Sequence, residues 1–267
     1  MAPYNFDAPD ADAILRSSDG KEIPVHRLVL GLSSPVFRSM LGLPQPASNT
    51  SSQIPTIDFP DPSDILKPFI QYLYPRPPPK VIGISMWPAL YAVADKYNVE
   101  VVTELLRANL ISQFLETYPL RVYALASRWG LEQEAKIASR RTLTMDILSE
   151  FPQEEAELMG GAACQRLVFL HLNRREAARA LVAKHPLPSS RSRHCICPPS
   201  NYNGLVPALC HHVATRPWLT AEGLYEEVGK RSYPPMCDSE DCRYAIKNMC
   251  AYFTSLPKGI SDLPQTI

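Results

Sequence analysis

The sequence predicts an α/β (α+β) domain at the front of the chain and an all-α helical extension behind it, so the protein is expected to be mostly helical. Two observations support this prediction. Residues 13–15 form an apolar run, and residues 21–25 alternate polar and apolar side chains after the turn pair Asp19-Gly20, which is typical of a β-hairpin. After His26, apolar residues recur about one helical turn apart instead.

Two short helices are predicted directly after the hairpin. Pro35 is typical of a first helical turn, and either of the two serines before it could provide the cap. The helical spacing is carried by Leu28, Leu32, Val36 and Met40.

The rest of the front domain is predicted to contain one more strand and three more helices. Residues 56–59 form the strand candidate, and helical spacing follows over residues 61–73 until the sequence PRPPP breaks it. Two further helices follow, and Asn98 between them is expected to adopt a left-handed turn.

Beyond the front domain, the chain continues with helical patterns. Pro119 is expected to begin a helix that Gly130 ends, and a partner helix covers residues 131–142. After Gly160-Gly161, one long amphipathic helix carries Cys164 and His171. The proline- and serine-rich residues 185–203 predict a loop, residues 204–256 a small helical unit containing cysteines, and residues 257–267 a tail.

Charge and composition narrow the class of function. Lysine plus arginine equals aspartate plus glutamate at 27 each, so net charge favours neither nucleic acid nor a membrane surface. No apolar run approaches the length of a membrane span, and the first residues do not resemble a signal peptide. We therefore expect an intracellular protein of the cytoplasm or nucleus, with seven cysteines mostly reduced.

Residues 12–41 resemble the opening of a BTB (POZ) domain. The family pattern is an acid, a DG turn, an apolar-x-V-H-basic step and S-x-x-F-x-x-M, and the matching residues are Asp12, Asp19-Gly20, Val25-His26-Arg27, Ser34, Phe37 and Met40. The resemblance implies a BTB fold over residues 12–114, preceded by an N-terminal arm of residues 1–11. The segment RVYALASRWGLEQEAKIASRRTL is similar to the BACK-like helical extension of fungal BTB proteins, which implies such an extension over residues 115–184.

The resemblance also implies what the protein does and with which residues. It implies a non-enzymatic adaptor that binds protein partners, and no catalytic motif contradicts this. The family places an acid and a base, here Asp12 and Arg27, beside its dimer groove. The predicted partner- or dimer-binding set is Asp12, His26, Arg27, Phe37 and Met40, with His26 expected mainly to anchor the helix start. Dimers of this family that exchange strands need a long N-terminal helix and strand. The eleven residues before Asp12 are too few to supply both, so we expect a weak homodimer.

The cysteines near the end of the chain suggest a metal site. Cys195, Cys197, Cys237 and Cys242 could bind one structural zinc, which would stabilise a unit too small to bury much core. The spacing differs from a typical zinc site, because one residue separates the first pair and four separate the second. The alternative interpretation is that these cysteines are free thiols.

Two alternative functions follow from these features. One is a transcription-associated regulator with a zinc-stabilised C-terminal unit, although the balanced charge of that unit does not favour DNA. The other is a substrate adaptor of a cullin-type ubiquitin ligase. Family members that bind the cullin use an apolar-x-Glu step after the S-x-x-F-x-x-M helix. Residues 41–54 contain no acid here, so binding to a cullin scaffold is expected to be weak.

Overall fold

The computed structural model describes residues 10–42, 54–75, 83–143, 145, 147–148 and 151–184. The first elements along these residues include the strands of a small sheet. Its strands are β1 (Ala13–Arg16), β2 (Glu22–Val25) and β3 (Thr56–Asp58), in the spatial order β2-β1-β3. β1 is antiparallel to β2 and parallel to β3. The inward residues Ala13, Leu15, Ile23 and Val25 alternate with outward ones and are fully buried, which confirms the predicted hairpin.

The chain divides into two units, with the boundary between Phe114 and Leu115. The described helices of the first unit are α1 (Arg27–Ser33), α2 (Pro35–Gly42), α3 (Ser63–Leu73), α4 (Trp87–Lys96) and α5 (Glu100–Asn109), followed by a π-helical turn, Leu110–Phe114. Asn98 lies between α4 and α5 with φ at 49°. The left-handed turn predicted there is confirmed.

Aromatic side chains form the centre of the first unit's core. Phe37 stacks on Tyr97 with ring centroids 4.8 Å apart, and Phe59 and Phe69 pack against the same two rings. Ser34 joins this cluster through its hydroxyl, which donates to the carbonyl of Tyr97 and accepts the N–H of Phe37 at the start of α2. Ser34 therefore caps α2 while linking it to the end of α4.

The indole of Trp87 links the start of α4 to the end of α5. Its buried Nε1 donates to the carbonyl oxygen of Leu106 at 2.8 Å. That oxygen also accepts the backbone N–H of Leu110, where the π-helical turn begins.

The described helices of the second unit are α6 (Pro119–Arg128), α7 (Glu132–Thr142), α8 (Gln153–Met159) and α9 (Gly161–Lys184). α6 and α7 form the predicted helical pair, and Gly130 between them has φ at 67°. α8, which the sequence pattern did not predict, is linked to α6 by an ion pair between Arg121 and Glu155. Tyr123 of α6 donates its hydroxyl to the carbonyl of Ala163 in α9 at 2.9 Å.

The buried face of α9 includes His171, as its place in the predicted amphipathic helix implies, and also the charged residue Arg174. His171 is buried and lies 3.2 Å, Nε2 to Oγ1, from Thr142 of α7. Arg174 is only 2% exposed, and burial lowers the pKa of its guanidinium. The described part of α9 therefore buries the polar side chains of His171 and Arg174 together with apolar side chains such as Leu167 and Leu170.

Several predictions lie outside the described residues. These are the structure of most of the N-terminal arm, the loop of residues 185–203, the helical unit of residues 204–256 and the tail of residues 257–267. The four zinc-candidate cysteines belong to the same part of the chain. Among the described residues, no cluster of three or more side chains has the composition of a metal site. None of the described helices combines the length and apolar character needed to cross a membrane.

Candidate interaction surface

The start of α1 is stabilised by Asp12, the residue directly before β1. Ala13 pairs with Val25 in the hairpin register, which places Asp12 beside the residues that enter α1. Its Oδ1 accepts the backbone N–H of Arg27 at 2.7 Å. The first amides of a helix have no partner within the helix and carry its positive dipole end. Asp12 therefore caps α1 from outside the helix.

His26 connects three segments at the same point. Its backbone N–H donates to the hydroxyl of Tyr74, and its Nδ1 lies 3.0 Å from that hydroxyl. On the other side of the ring, Nε2 lies 3.3 Å from Oδ1 of Asp10. A hydrogen bond from its own backbone, followed by one from His26, lowers the pKa of the Asp10 carboxyl. His26 is thus an anchor of the helix start, as expected.

Arg27 and Arg38 tie α1 to α2. The guanidinium of Arg27 donates to the carbonyl oxygen of Leu41 at 2.6 Å, and Nε of Arg38 donates to the carbonyl oxygen of Gly31 at 3.0 Å. Both side chains lie along the outer surface of the helix pair. Each keeps donors at the surface, because only part of each guanidinium is used in these bonds.

Between these two cations, the helix pair exposes apolar surface. Leu28 and Leu32 are each 71% exposed, and they border an open groove of about 480 Å³. We call this surface the α1 groove; it is lined by Arg27, Leu28, Gly31, Leu32, Arg38, Leu41 and Gly42. Its apolar centre and cationic rim are typical of a protein-binding surface rather than a catalytic cleft.

The structure places three of the predicted partner-binding residues at the start of α1 and the other two on α2. Asp12, His26 and Arg27 lie together at the start of α1. Phe37 is only 2% exposed and packs in the aromatic core, so its side chain does not lie at the described surface. Met40 is partly exposed on α2. A binding role for each of these residues stays a prediction.

Sequence reasoning missed the residues that form the apolar part of this surface. The spacing of Leu28 and Leu32 predicts a helix, yet the side chains of α1 and α2 that are fully buried are Leu30 and Phe37. One signal was present: three leucines at positions 28, 30 and 32 point to more than one side of a helix, so they cannot all face one core.

Comparison with known families agrees with this geometry. The model of the BTB/POZ domain family matches residues 7–114, which span the sheet, the helices α1 to α5 and the α1 groove. No curated protein matches the chain.

Proposed function

Because residues 7–114 form a BTB/POZ domain, a type of domain that mediates protein–protein interaction and dimerisation, we propose that this chain is a non-enzymatic adaptor. In this proposal the α1 groove is the surface for self-association or partner binding. The helical extension behind the domain, of the BACK-like type found in fungal BTB proteins, then carries the adaptor's further contacts.

The observation that carries the proposal is the exposure of Leu28 and Leu32. Single exposed apolar side chains are common on protein surfaces. Here two exposed leucines lie one helical turn apart and border the same open groove. Burying a leucine side chain contributes about 1.5–3 kcal/mol. Two leucines from each of two copies would thus provide a substantial driving force for a dimer.

The charges around the groove are compatible with a symmetric dimer. In such an interface each copy presents the same patch, so a residue of one copy meets a different residue of the other. Arg27 and Arg38 provide positive charge, and the exposed Asp12 provides negative charge at the edge of the same surface. Both signs are therefore available on each copy.

Sedimentation velocity of the full chain over a range of concentrations tests this proposal. We expect a concentration-dependent dimer that Leu28→Asp with Leu32→Asp weakens by about tenfold or more, because a buried charge replaces buried apolar surface. Val101→Asp is the matched control, since Val101 is 68% exposed on α5 of the same domain. A dimer unaffected by the paired leucine substitution, or a strictly monomeric chain, would refute the role of the groove in self-association.

Recruitment of a cullin-type scaffold is the second candidate function. The helical pair α6 and α7 follows the BTB domain directly, as in family members that bind a cullin. The absence of an acid from residues 41–54 removes the carboxylate of the apolar-x-Glu step. We therefore rank this function below self-association.

A further inference from the structure

A pocket lies in the second unit, where α6 ends and α7 begins. It has a volume of about 370 Å³ and is bounded by residues 126–136 and by Arg166 of α9. We call it the α7 pocket. We propose that it binds the carboxylate of a glutamate side chain in a peptide segment of a partner protein.

The proposed site rests on the adaptor function and gives the second unit a partner-binding site of its own. It does not depend on the α1 groove, because every residue of that groove belongs to the first unit. Self-association through the α1 groove and peptide binding at the α7 pocket can therefore succeed or fail separately.

The floor of the α7 pocket is apolar. Ala126, Leu131 and Ala135 line it, and all three side chains are buried. Gly130 contributes no side chain, and a Cβ placed there would meet no atom within 4 Å. A short aliphatic stem, such as the two methylene groups of glutamate, gains free energy when it leaves water for a surface of this kind.

Two cations line the mouth of the pocket. Lys136 of α7 and Arg166 of α9 are both exposed. Among the described residues, no carboxylate lies within ion-pairing distance of either cation. A guanidinium can donate to both oxygens of a carboxylate at once, and an ammonium adds a point charge. The mouth therefore offers matched donors to a carboxylate.

The Arg166 side chain lies against α6 at the wall of the pocket. The Tyr123 hydroxyl of α6 donates to the carbonyl of Ala163. Burial raises the pKa of that hydroxyl, and Ser127 and the positive charge of Arg166 lie close enough to act in the opposite direction. Ser127 also lines the pocket, so a hydroxyl and a guanidinium share one wall.

The third charged residue of the pocket selects the ligand. Glu132 also lines it, so the two cations and this acid together carry a net charge of one positive unit. A single carboxylate balances that charge. A dianionic phosphate would leave an excess of negative charge beside Glu132, where like charges repel. The charge of the site thus favours a carboxylate over a phosphate.

A nuclear magnetic resonance titration of the full chain tests the site. The probe is the blocked peptide acetyl-Gly-Leu-Glu-Leu-Gly-amide, and the same peptide with glutamine in place of glutamate is its matched control. We expect saturable shifts of the backbone amide signals of Gly130, Leu131 and Ala135 with the glutamate peptide alone. Equal responses to the two peptides, or no response to either, would overturn the proposal.

Sodium acetate and inorganic phosphate, titrated at constant ionic strength, separate a peptide site from a site for small anions. Acetate has the carboxylate but lacks the stem and the flanking residues, so the peptide should bind at least about threefold more tightly. Acetate that binds as tightly as the peptide would assign the pocket to free carboxylates and overturn the proposal. Tighter binding of phosphate would overturn it as well.

Charge variants test the residues of the site. Lys136→Gln with Arg166→Gln should weaken binding of the glutamate peptide at least about fivefold. Arg128→Gln with Arg140→Gln is the matched control, because it removes the same charge from exposed positions that do not line the pocket. Equal affinities of the two double variants would refute the assignment of Lys136 and Arg166.

Glu132→Gln should change the affinity in the opposite direction. It removes a like charge beside the ligand, so the glutamate peptide should bind about twofold more tightly. A gain of affinity cannot come from a misfolded chain, whereas a loss of affinity would show that Glu132 does not face the ligand's carboxylate and would contradict the proposed geometry.

Sedimentation velocity distinguishes failure of this site from failure of self-association. Lys136→Gln with Arg166→Gln should leave the dimer unchanged, because neither residue belongs to the α1 groove. A chain that dimerises but does not bind the glutamate peptide overturns the α7 pocket alone. A chain that stays monomeric and binds the peptide supports the α7 pocket and refutes self-association.

Discussion

Asp19 in the hairpin turn holds the first turn of α3, although the two elements are 44 positions apart in the sequence. Oδ1 of Asp19 accepts the backbone N–H of Ser63 at 2.8 Å, and Oδ2 accepts the hydroxyl of Ser63 at 2.7 Å. The residue just before the helix, Pro62, makes no side-chain cap. The hairpin turn therefore provides the cap that the local sequence of α3 lacks.

The first prediction follows from this contact. Asp19→Ala should lower the melting temperature of the chain, because the N–H and hydroxyl of Ser63 lose their acceptors. Asp95→Ala is the matched control, since Asp95 is an exposed acid of α4 in the same unit. Differential scanning calorimetry measures both. Equal melting temperatures for the two variants would contradict the capping role of Asp19.

The same contact predicts a pH dependence. Hydrogen bonds from Ser17, and then from Ser63, hold the pKa of the Asp19 carboxyl well below its ordinary value of 3.8. Because the folded-state pKa is depressed, the stabilisation is fully present above pH 3.8 and is lost as the pH falls toward the folded-state value.

Urea denaturation of the native chain and of Asp19→Asn measures this effect. The difference in free energy of unfolding between the two proteins should be constant near neutral pH and should shrink as the pH falls below 3.8. A difference that does not change between pH values on either side of that point would contradict the prediction.

The second prediction concerns Phe37. Phe37→Ala should reduce the free energy of unfolding by about 3–5 kcal/mol, because it leaves a cavity among the aromatic rings of the core. Leu28→Ala is the matched control and should change stability by less than about 0.5 kcal/mol, since Leu28 is mostly exposed. Both values come from urea denaturation. A comparable cost for the two substitutions would mean that the groove leucine is buried in solution.

The third prediction concerns zinc. If Cys195, Cys197, Cys237 and Cys242 bind one structural ion, the purified protein should contain about one zinc per chain. Replacing these four cysteines with serine should abolish the metal content, whereas Cys164→Ser, a change on α9, should not. Metal analysis of protein produced in zinc-replete medium provides the measurement. Zinc-free native protein would favour the free-thiol interpretation.

The fourth prediction concerns the cullin scaffold. A charge-assisted hydrogen bond typically contributes about 1.5–3 kcal/mol. Because residues 41–54 contain no acid, the chain should bind the cullin at least about tenfold more weakly than family members that have one. We expect weak or absent heat of binding when the N-terminal domain of a cullin is titrated by calorimetry. Ser48→Glu, which introduces an acid into residues 41–54, tests whether a carboxylate restores affinity. Nanomolar binding by the native chain would place the ligase function first.

Sequence patterns predicted the parts of the fold that depend on local chemistry. The hairpin at Asp19-Gly20, the left-handed turn at Asn98 and the helix end at Gly130 are each specified by residues within a few positions. The ordered BTB residues also located the domain that the family model matches. These features needed no knowledge of distant contacts.

The features that were missed depend on tertiary structure. The cap on α3 comes from Asp19, which lies in another element, so no window around Ser63 contains it. The leucines of α1 lie on two opposite sides of the helix, and only the packing of α1 against its neighbours selects Leu30 for the core. Phe37 is part of the family pattern and lies in the aromatic core, but the pattern alone does not distinguish a packing residue from a binding residue.

Because α1 is capped by a residue outside the helix, a peptide copied from the α1 groove should not keep the helical structure that it has in the domain. A helix of seven residues is too short to form alone in water, because nucleation is costly and few hydrogen bonds follow it. Asp12, directly before β1, supplies the missing acceptor for the N–H of Arg27. A synthetic peptide of residues 26–42 should therefore be unstructured and a poor competitor for partners of the groove, and an inhibitor that copies this surface must carry its hairpin with it.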